Sequence, residues 1–434
     1  MSDDIPSANT PNRRHFLQSL AALTAGGALG AGATVALDRP ASAAGRPDAA
    51  GRPDAARSAE PVETVPAAAI PFHGTHQAGI LSPPAAASAH IAFDLTATSR
   101  AELAQLMQAL TDRARFLTAG GIPENLGISA PPADSGVLGP EVPADGLTVT
   151  VGLGASAFDD RFGLAAQKPK RLRAMDTFVN DDLDRARCDG DLLLSLTAAH
   201  TDTVLHALRD LTRHTRGGMQ IRWRIDGFNP PPRPSGAPRN LLGFKDGIAN
   251  PDTTNAATMD QLVFTGKSTP DEPGWTANGS YQVVRVIRML IEFWDRVTVG
   301  EQERMFGRRK DTGAPLSGDV ETDRPDYTDD ALGATIPLDA HIRLANPRTP
   351  ASAGSQILRR GYSYDAGVDS NGNLDCGLVF TCFQADLDRQ FVTVQKRLAD
   401  EPLVDYISPI GGGYFFALPG ITGPDDWFAK AILK

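Results

Sequence analysis

From Ile91 onward the chain alternates strand-like runs with helices, and it completes this plan twice, a recurrence that restricts the fold more than any other feature. Ile91–Ala97 reads as a strand. Ser99 then stands three residues before Glu102, a capping box that satisfies free backbone donors and opens a helix through about Leu117. Its apolar positions Leu103, Leu106, Leu110 and Ala114 share one face at helical spacing. Leu147, Val149, Val151 and Leu153 alternate with Thr148, Thr150 and Gly152, the pattern of a half-buried strand. A strand over Asp191–Thr197 leads into a helix from Thr201 to about Thr215, after which Ile221, Trp223 and Ile225 alternate with arginines. In the second half Tyr281–Phe293 has strand composition and a helix is expected around Gly300–Phe306. Leu374–Gln384 is a further strand, Asp386 caps a helix to about Ala399, and Gly413–Leu418 closes the sheet. The pattern predicts a duplicated ferredoxin-like α+β fold of the dimeric α+β barrel type, its antiparallel sheets covered by helices on one face. The halves are expected at 70–255 and 256–434, although no sequence repeat links them.

Before this region lies a different kind of sequence. Arg13-Arg14 precedes an uncharged stretch from Phe16 to Leu37 whose glycines and threonines keep it weakly apolar, and Ala41-Ser42-Ala43 follows. Paired arginines, a mild apolar core and a small-residue end read as a twin-arginine signal over 1–43. The competing readings are a chance Arg-Arg in a tail and a retained membrane anchor. Residues 44–69 contain Gly45–Ala50 repeated as Gly51–Ala56, a Pro/Ala tract with alternating charges and little to pack, expected as a disordered linker. The address implies a periplasmic, extracellular or envelope-associated protein that meets the twin-arginine translocase already folded.

Charge and motifs exclude several functions. Forty-two basic against 52 acidic side chains give a net charge of −10, which disfavours nucleic acid as a partner. Three cysteines cannot make a disulfide-stapled scaffold, and Cys376 and Cys382 on one strand lie too far apart to bond. Phosphate-loop, H-E-x-x-H, G-x-S-x-G and C-x-x-C-H signatures are absent. His200, His206 and His214 surround one helix without a carboxylate at metal spacing, and His73 and His76 read as packing residues more readily than as a metal pair.

Three polar segments remain. His341 sits in a charged stretch between long loops, Asp246 in the glycine-bounded turn Gly243-Phe244-Lys245-Asp246-Gly247, and Arg359-Arg360 at an apolar junction. A histidine, an aspartate and an arginine are the working parts of a haem peroxidase: an iron ligand, a carboxylate that moves a peroxide proton, and a guanidinium that stabilises charge on the departing oxygen. Taken by composition alone, an Asp in a Gly turn is more often an Asx turn, and Arg-Arg more often surface.

Order along the chain decides between them. Phe72–Ile80, Asn240–Gly247, His341–Pro350, Leu358–Tyr364 and Pro409–Phe416 occur in sequence, and with them the chain resembles the dye-decolourising peroxidases, most closely their exported deferrochelatase/peroxidase branch. The resemblance implies one haem b per chain in the C-terminal half, with His341 as proximal iron ligand, Asp246 as distal acid–base and Arg359 as distal charge stabiliser. It further implies that Gly247, Ile248 and Ala249 line the haem on the distal side, that Asn346, Pro347 and Arg348 line it on the proximal side with Arg348 on a propionate, and that Asp405 hydrogen-bonds the proximal histidine. Ile248 departs from the hydroxyl residue frequent in close relatives.

What the resemblance implies functionally is peroxide reduction coupled to oxidation of a small or dye-like donor, at the haem edge or through Tyr362, Tyr364, Tyr406 or Tyr414. The alternative is a deferrochelatase that releases iron from free haem with the porphyrin intact, working with components of a ferrous-iron uptake system. A non-catalytic haem carrier is a third reading, against which the Asp246 and Arg359 pair argues. A homo-oligomer is also implied.

Overall fold

The computed structural model describes residues 67–434, so the twin-arginine segment and the linker up to residue 66 lie outside the described residues. The first half contains β1 (Ala87–Leu95), α1 (Arg100–Ala119), β2 (Thr148–Gly154), β3 (Leu192–Ala198), α2 (Thr201–His214) and β4 (Met219–Phe228). After α3 (Ala256–Leu262) come β5 (Ser280–Met289), α4 (Ile291–Trp294), α5 (Val299–Phe306) and α6 (His341–Ala345). The chain continues through β6 (Leu358–Arg359), β7 (Tyr362–Val368), β8 (Leu374–Gln384), α7 (Thr393–Arg397), β9 (Ile407–Ala417) and α8 (Lys430–Leu433). Among the described residues no helix is long and apolar enough to cross a membrane.

Local chemistry sets the elements where the sequence places them. Ser99 Oγ accepts the Glu102 amide, and the Glu102 carboxylate reaches back to the Thr98 amide, so α1 begins at its capping box. The strand expected over Tyr281–Phe293 stops at Met289, because residues 291–294 turn into the short α4 and bury Trp294.

All pairings between these strands are antiparallel, in the order β5-β9-β2-β3-β1-β4-β7-β8-β6, and β8 also pairs back onto β5. Eight strands therefore close on themselves, and β6 is a short extension on β8. Setting β6 aside, both halves use one order: the first strand lies between the third and fourth, and the second lies outside the third. The two sheets expected from the sequence are thus one. Each half would leave two unpaired edges, and the edges satisfy each other, β4 on β7 and β2 on β9. β9, expected as a terminal closing strand from Gly413, begins at Ile407 and lies between the halves.

Side-chain alternation divides inside from outside. Ala92, Leu193, Trp223, Ile225, Val284, Val286, Tyr362, Tyr364, Val379 and Phe415 form one buried cluster that fills the barrel. The opposite faces of β1, β2 and β3 carry Ile91, Val149, Val151, Leu194 and Leu196, which pack under Leu103, Met107 and Leu110 of α1 and Val204, Leu208 and Leu211 of α2. Phe391 and Val392, just before α7, join this same outer core. β2 is buried along its whole length rather than half-buried. Its Thr148, Thr150 and Gly152 face the barrel interior, so the polar alternation marks an enclosed side and not a solvated one.

Candidate active site

The aspartate turn is built by its own backbone. Asn240 Oδ1 accepts the amides of Leu242 and Phe244 at 3.1 Å each, and the Asp246 amide donates to Pro238 O at 2.9 Å. Lys245 is tied down by an ion pair with Glu321. Gly247 takes φ +90°, where a side chain would be strained, and a Cβ there would meet no atom within 4 Å. The turn therefore presents the Asp246 carboxylate and an open backbone surface together.

Arg359 approaches from β6. Its amide donates to Asn250 Oδ1 at 2.9 Å and its carbonyl accepts from Asn250 Nδ2 at 3.0 Å, which fixes the backbone from both sides. The guanidinium then reaches Asp246, Nη1 to Oδ1 at 2.7 Å. The Gly247 amide donates to the same Oδ1 at 2.6 Å, which leaves Oδ2 without a hydrogen-bond partner among the described residues. Asp246, Gly247, Asn250 and Arg359 line a cavity of about 240 Å³ that also touches Arg360 and Tyr362. Arg360 turns away from Asp246 and donates from Nε to Ile80 O at 3.0 Å.

His341 opens the five-residue α6, and its ring lies 6.0 Å from that of Phe306. Nδ1 stands 2.6 Å from Oε2 of Glu401, a carboxylate only 3% exposed, while the imidazole is 31% exposed. Burial opposes protonation of this ring, but the Glu401 carboxylate outweighs it and holds the pKa above the ordinary histidine value. Arg359 and Asp246 both act on the same imidazole electrostatically, so the three segments singled out in the sequence converge.

The expected partner of the histidine is corrected by this geometry. Asp405 lies on the exposed side of the 3₁₀ turn Pro402–Tyr406, and the bonded carboxylate belongs to Glu401, immediately before Pro402. The only signal for it in the sequence is an acid preceding a proline that starts a helical turn. Asn250, Arg308 and Tyr327 also escaped the sequence reading. Ile248 and Ala249 sit in the turn after Gly247, partly and fully exposed, while Asn346, Pro347 and Arg348 follow α6 and are half-buried.

Chemically, the site carries surplus positive charge. Arg308 is 6% exposed and donates to the carbonyls of Gly313 and Glu321. Burial pushes its pKa down, and the neighbouring Arg348 and Arg359 push it further. Arg348 Nε and the Tyr327 hydroxyl are buried with no hydrogen-bond partner among the described residues. A buried arginine with two further arginines close enough to lower its pKa, beside orphaned donors, suits a ligand bearing carboxylates. Haem carries two propionates, so these residues fit it. His73 Nε2 accepts from Arg115 Nε at 3.1 Å and His76 stacks on Phe264, and no group of three or more metal-ligating side chains occurs among the described residues.

Comparison with known proteins identifies the family. Residues 77–229 match the family model for the N-terminal part of Dyp-type peroxidases, and residues 237–422 match that for the C-terminal part. The chain is 52% identical over 369 residues to a deferrochelatase of Escherichia coli strain K12, covering 84% of this chain and 87% of the relative. Among solved structures it resembles a DyP-type peroxidase from Cellulomonas bogoriensis, with TM-score 0.74 and 34% identity over 85% of this chain and 98% of that one. It also resembles ferric DtpA from Streptomyces lividans, with TM-score 0.77 and 36% identity over 86% of this chain and 100% of that one. With both family models matched and the relatives aligned over most of their length, this chain belongs to the Dyp-type peroxidase family and is a haem-binding peroxidase.

Proposed function

We propose that this enzyme reduces hydrogen peroxide with one haem b per chain, using His341 as the iron ligand, Asp246 as the acid–base and Arg359 as the charge stabiliser. The observation that carries the reading is the Asp246–Arg359 pair held within electrostatic reach of the His341–Glu401 pair. Haem, when bound, supplies the iron that accepts oxygen from peroxide and withdraws electrons from a donor.

The residues divide the remaining work. With Nδ1 engaged by Glu401, the lone pair of the neutral His341 ring is directed to Nε2, the atom available to a metal, and the carboxylate raises its basicity. Asp246 keeps Oδ1 on Arg359 and Gly247, so Oδ2 is the oxygen that takes a proton from one peroxide oxygen and delivers it to the other. Arg359, positioned by Asn250, places its positive charge where the departing oxygen becomes negative. Arg308, Arg348 and Tyr327 are the residues that would hold the propionates, with Asn346 and Pro347 on the same segment as Arg348. The cavity of about 240 Å³ beside Asp246 has room for peroxide.

The test is the absorption spectrum of purified protein before and after peroxide. His341→Ala is expected to abolish haem loading, and a variant that retains a normal haem spectrum would overturn the ligand assignment.

A second reading rests on the 52% identity to a protein named deferrochelatase. In it the same site takes free haem as substrate and releases iron with the ring intact, in service of ferrous-iron uptake. Anaerobic haem loading followed by pigment analysis separates the two, since free protoporphyrin appears only under the second. We further propose twin-arginine export to the periplasm or cell envelope, on the strength of Arg13-Arg14 and Ala41–Ala43, and a homo-oligomeric assembly. Loss of export on Arg13→Lys/Arg14→Lys, and a mass above that of one chain in solution, are the expected results.

A further inference from the structure

The barrel interior holds a polar cluster that peroxide chemistry at the haem does not use. Ser195 Oγ is its hub, 3.0 Å from His90 Nδ1 and 2.9 Å from Gln282 Nε2. Four side-chain atoms near it are buried without a hydrogen-bond partner among the described residues: Ser88 Oγ, His90 Nε2, Gln282 Oε1 and Thr381 Oγ1. The residues that carry them are at most 3% exposed, His90 at 2% and Gln282 at 0%.

Register places these atoms on facing sides of the barrel wall. Ser88 and His90 are two apart on β1, and His90 is the cross-strand partner of Ser195 on β3. On β5 and β8, Val284 pairs with Thr381, which makes Gln282 and Thr381 diagonal neighbours on the same face. That face is the barrel interior, because Val284 belongs to its core. The Gln282 hydrogen bond to Ser195 crosses from β5 to β3, strands that are not adjacent in the sheet, and so joins the two sides of the wall.

Rearranging protons does not remove the deficit. A neutral imidazole has one donor and one acceptor nitrogen, so with Nδ1 on Ser195 the other is left over in either tautomer. Turning the Gln282 amide exchanges which end is orphaned and leaves the count unchanged. The leftover set mixes donors, acceptors and two rotatable hydroxyls, and no Lys, Arg, Asp or Glu belongs to it. Such a set matches a small neutral molecule that donates and accepts at once, not an ion.

We propose that this part of the barrel is a water-binding chamber, in which a cluster of ordered water bridges His90, Gln282, Ser88 and Thr381. Buried water normally occupies sites that offer two to four polar partners, and this wall offers four. Tyr362 borders both regions: its ring lies 6.1 Å from that of His90, and it lines the cavity of Asp246 and Arg359. Burial suppresses protonation of His90, so the histidine meets the water as a neutral ring.

A high-resolution crystal structure of the haem-loaded enzyme, together with magnetic relaxation dispersion of water oxygen in solution, tests the proposal. Density within hydrogen-bond distance of His90 Nε2 and Gln282 Oε1 is expected, and the double variant Gln282→Leu/Thr381→Val should lose one or more long-lived waters. Tyr362→Ala should shorten the residence time of those that remain in the otherwise unaltered protein. An empty, dry interior at His90 Nε2, or an unchanged count of long-lived waters in a folded double variant, would overturn it. If the double variant does not fold, Gln282→Glu and Ser88→Ala provide the same readout, and the crystal structure alone still decides.

Discussion

Glu401 Oε2 lies 2.6 Å from Nδ1 of His341, and the carboxylate is buried while the ring is partly open. An acid in this position fixes the tautomer and strengthens the opposite nitrogen as a ligand, and loss of such a partner typically costs about 10–100-fold in metal affinity or activity. Glu401→Gln is therefore expected to bind haem about 10–100-fold more weakly than the parent, and Asp405→Asn to bind it equally well. Haem titration followed by absorbance checks both. Equal affinities for the two variants would take the role from Glu401, and a weaker Asp405→Asn would give it to Asp405.

Asp246 and Arg359 share one ion pair, so their substitutions should not add. Asp246→Asn is expected to keep haem while slowing the reaction with peroxide by about 10²–10⁴-fold, the usual contribution of a positioned acid–base group. Arg359→Leu should be slowed as well, and the double variant should be little slower than the worse single one. Stopped-flow mixing with peroxide measures all three rates, and strictly multiplicative losses would mean that the pair does not act as a unit.

Acid should destabilise the barrel through His90. Burial holds its pKa down at about 4, against an ordinary value of 6.5 in the unfolded chain. The unfolded state binds the extra proton first, so the stability contributed by the neutral ring is complete above pH 6.5. It is lost as the pH falls towards 4, by up to about 3 kcal/mol at the low end. Denaturant midpoints of the parent and of His90→Asn across this window should converge as the pH drops. Parallel curves would remove His90 from the acid response.

Closure of the barrel can be tested at a single glycine. A Cβ added at Gly377 on β8 would lie 2.0 Å from the Ile287 carbonyl oxygen of β5, so Gly377→Ala must push apart the two strands that seal the sheet. A loss above about 3 kcal/mol is expected, beyond the range of ordinary substitutions. Gly247→Ala, where the added carbon meets open space, should cost only the backbone strain of a positive φ, about 1–2 kcal/mol. Thermal or chemical denaturation orders the two, and a mild Gly377→Ala would argue that the β5–β8 seam is loose.

These contrasts show where the sequence is readable. The Ser99–Glu102 box and the apolar stripe of α1 are local signals, so the helix stands where they put it. Asp246, His341 and Arg359 are likewise found together because their segments occur in order. A barrel type was expected, but the pairings that merge its two sheets into one were not legible, since the β5–β8 and β2–β9 seams join residues about a hundred or more positions apart and depend on edges, not on composition. β2 misled for a related reason: alternation reports two different faces, and only the fold says whether the polar face meets water or an enclosed interior. Glu401 was missed because Glu401 and Asp405 are one turn apart, and spacing alone does not say which of them points inward.

The position of β9 has a consequence for how the molecule is made. It is the last barrel strand to be synthesised, yet it pairs with β5 on one side and β2 on the other. Long-range pairing of this kind is slow because loop closure must precede its reward. On a ribosome adding about 5–20 residues per second, the N-terminal four strands wait with an unpaired edge on β2 until residues 407–417 emerge. With His341 and Arg359 in the roles proposed for them, haem would seat only in a finished chain, and its insertion is expected after translation.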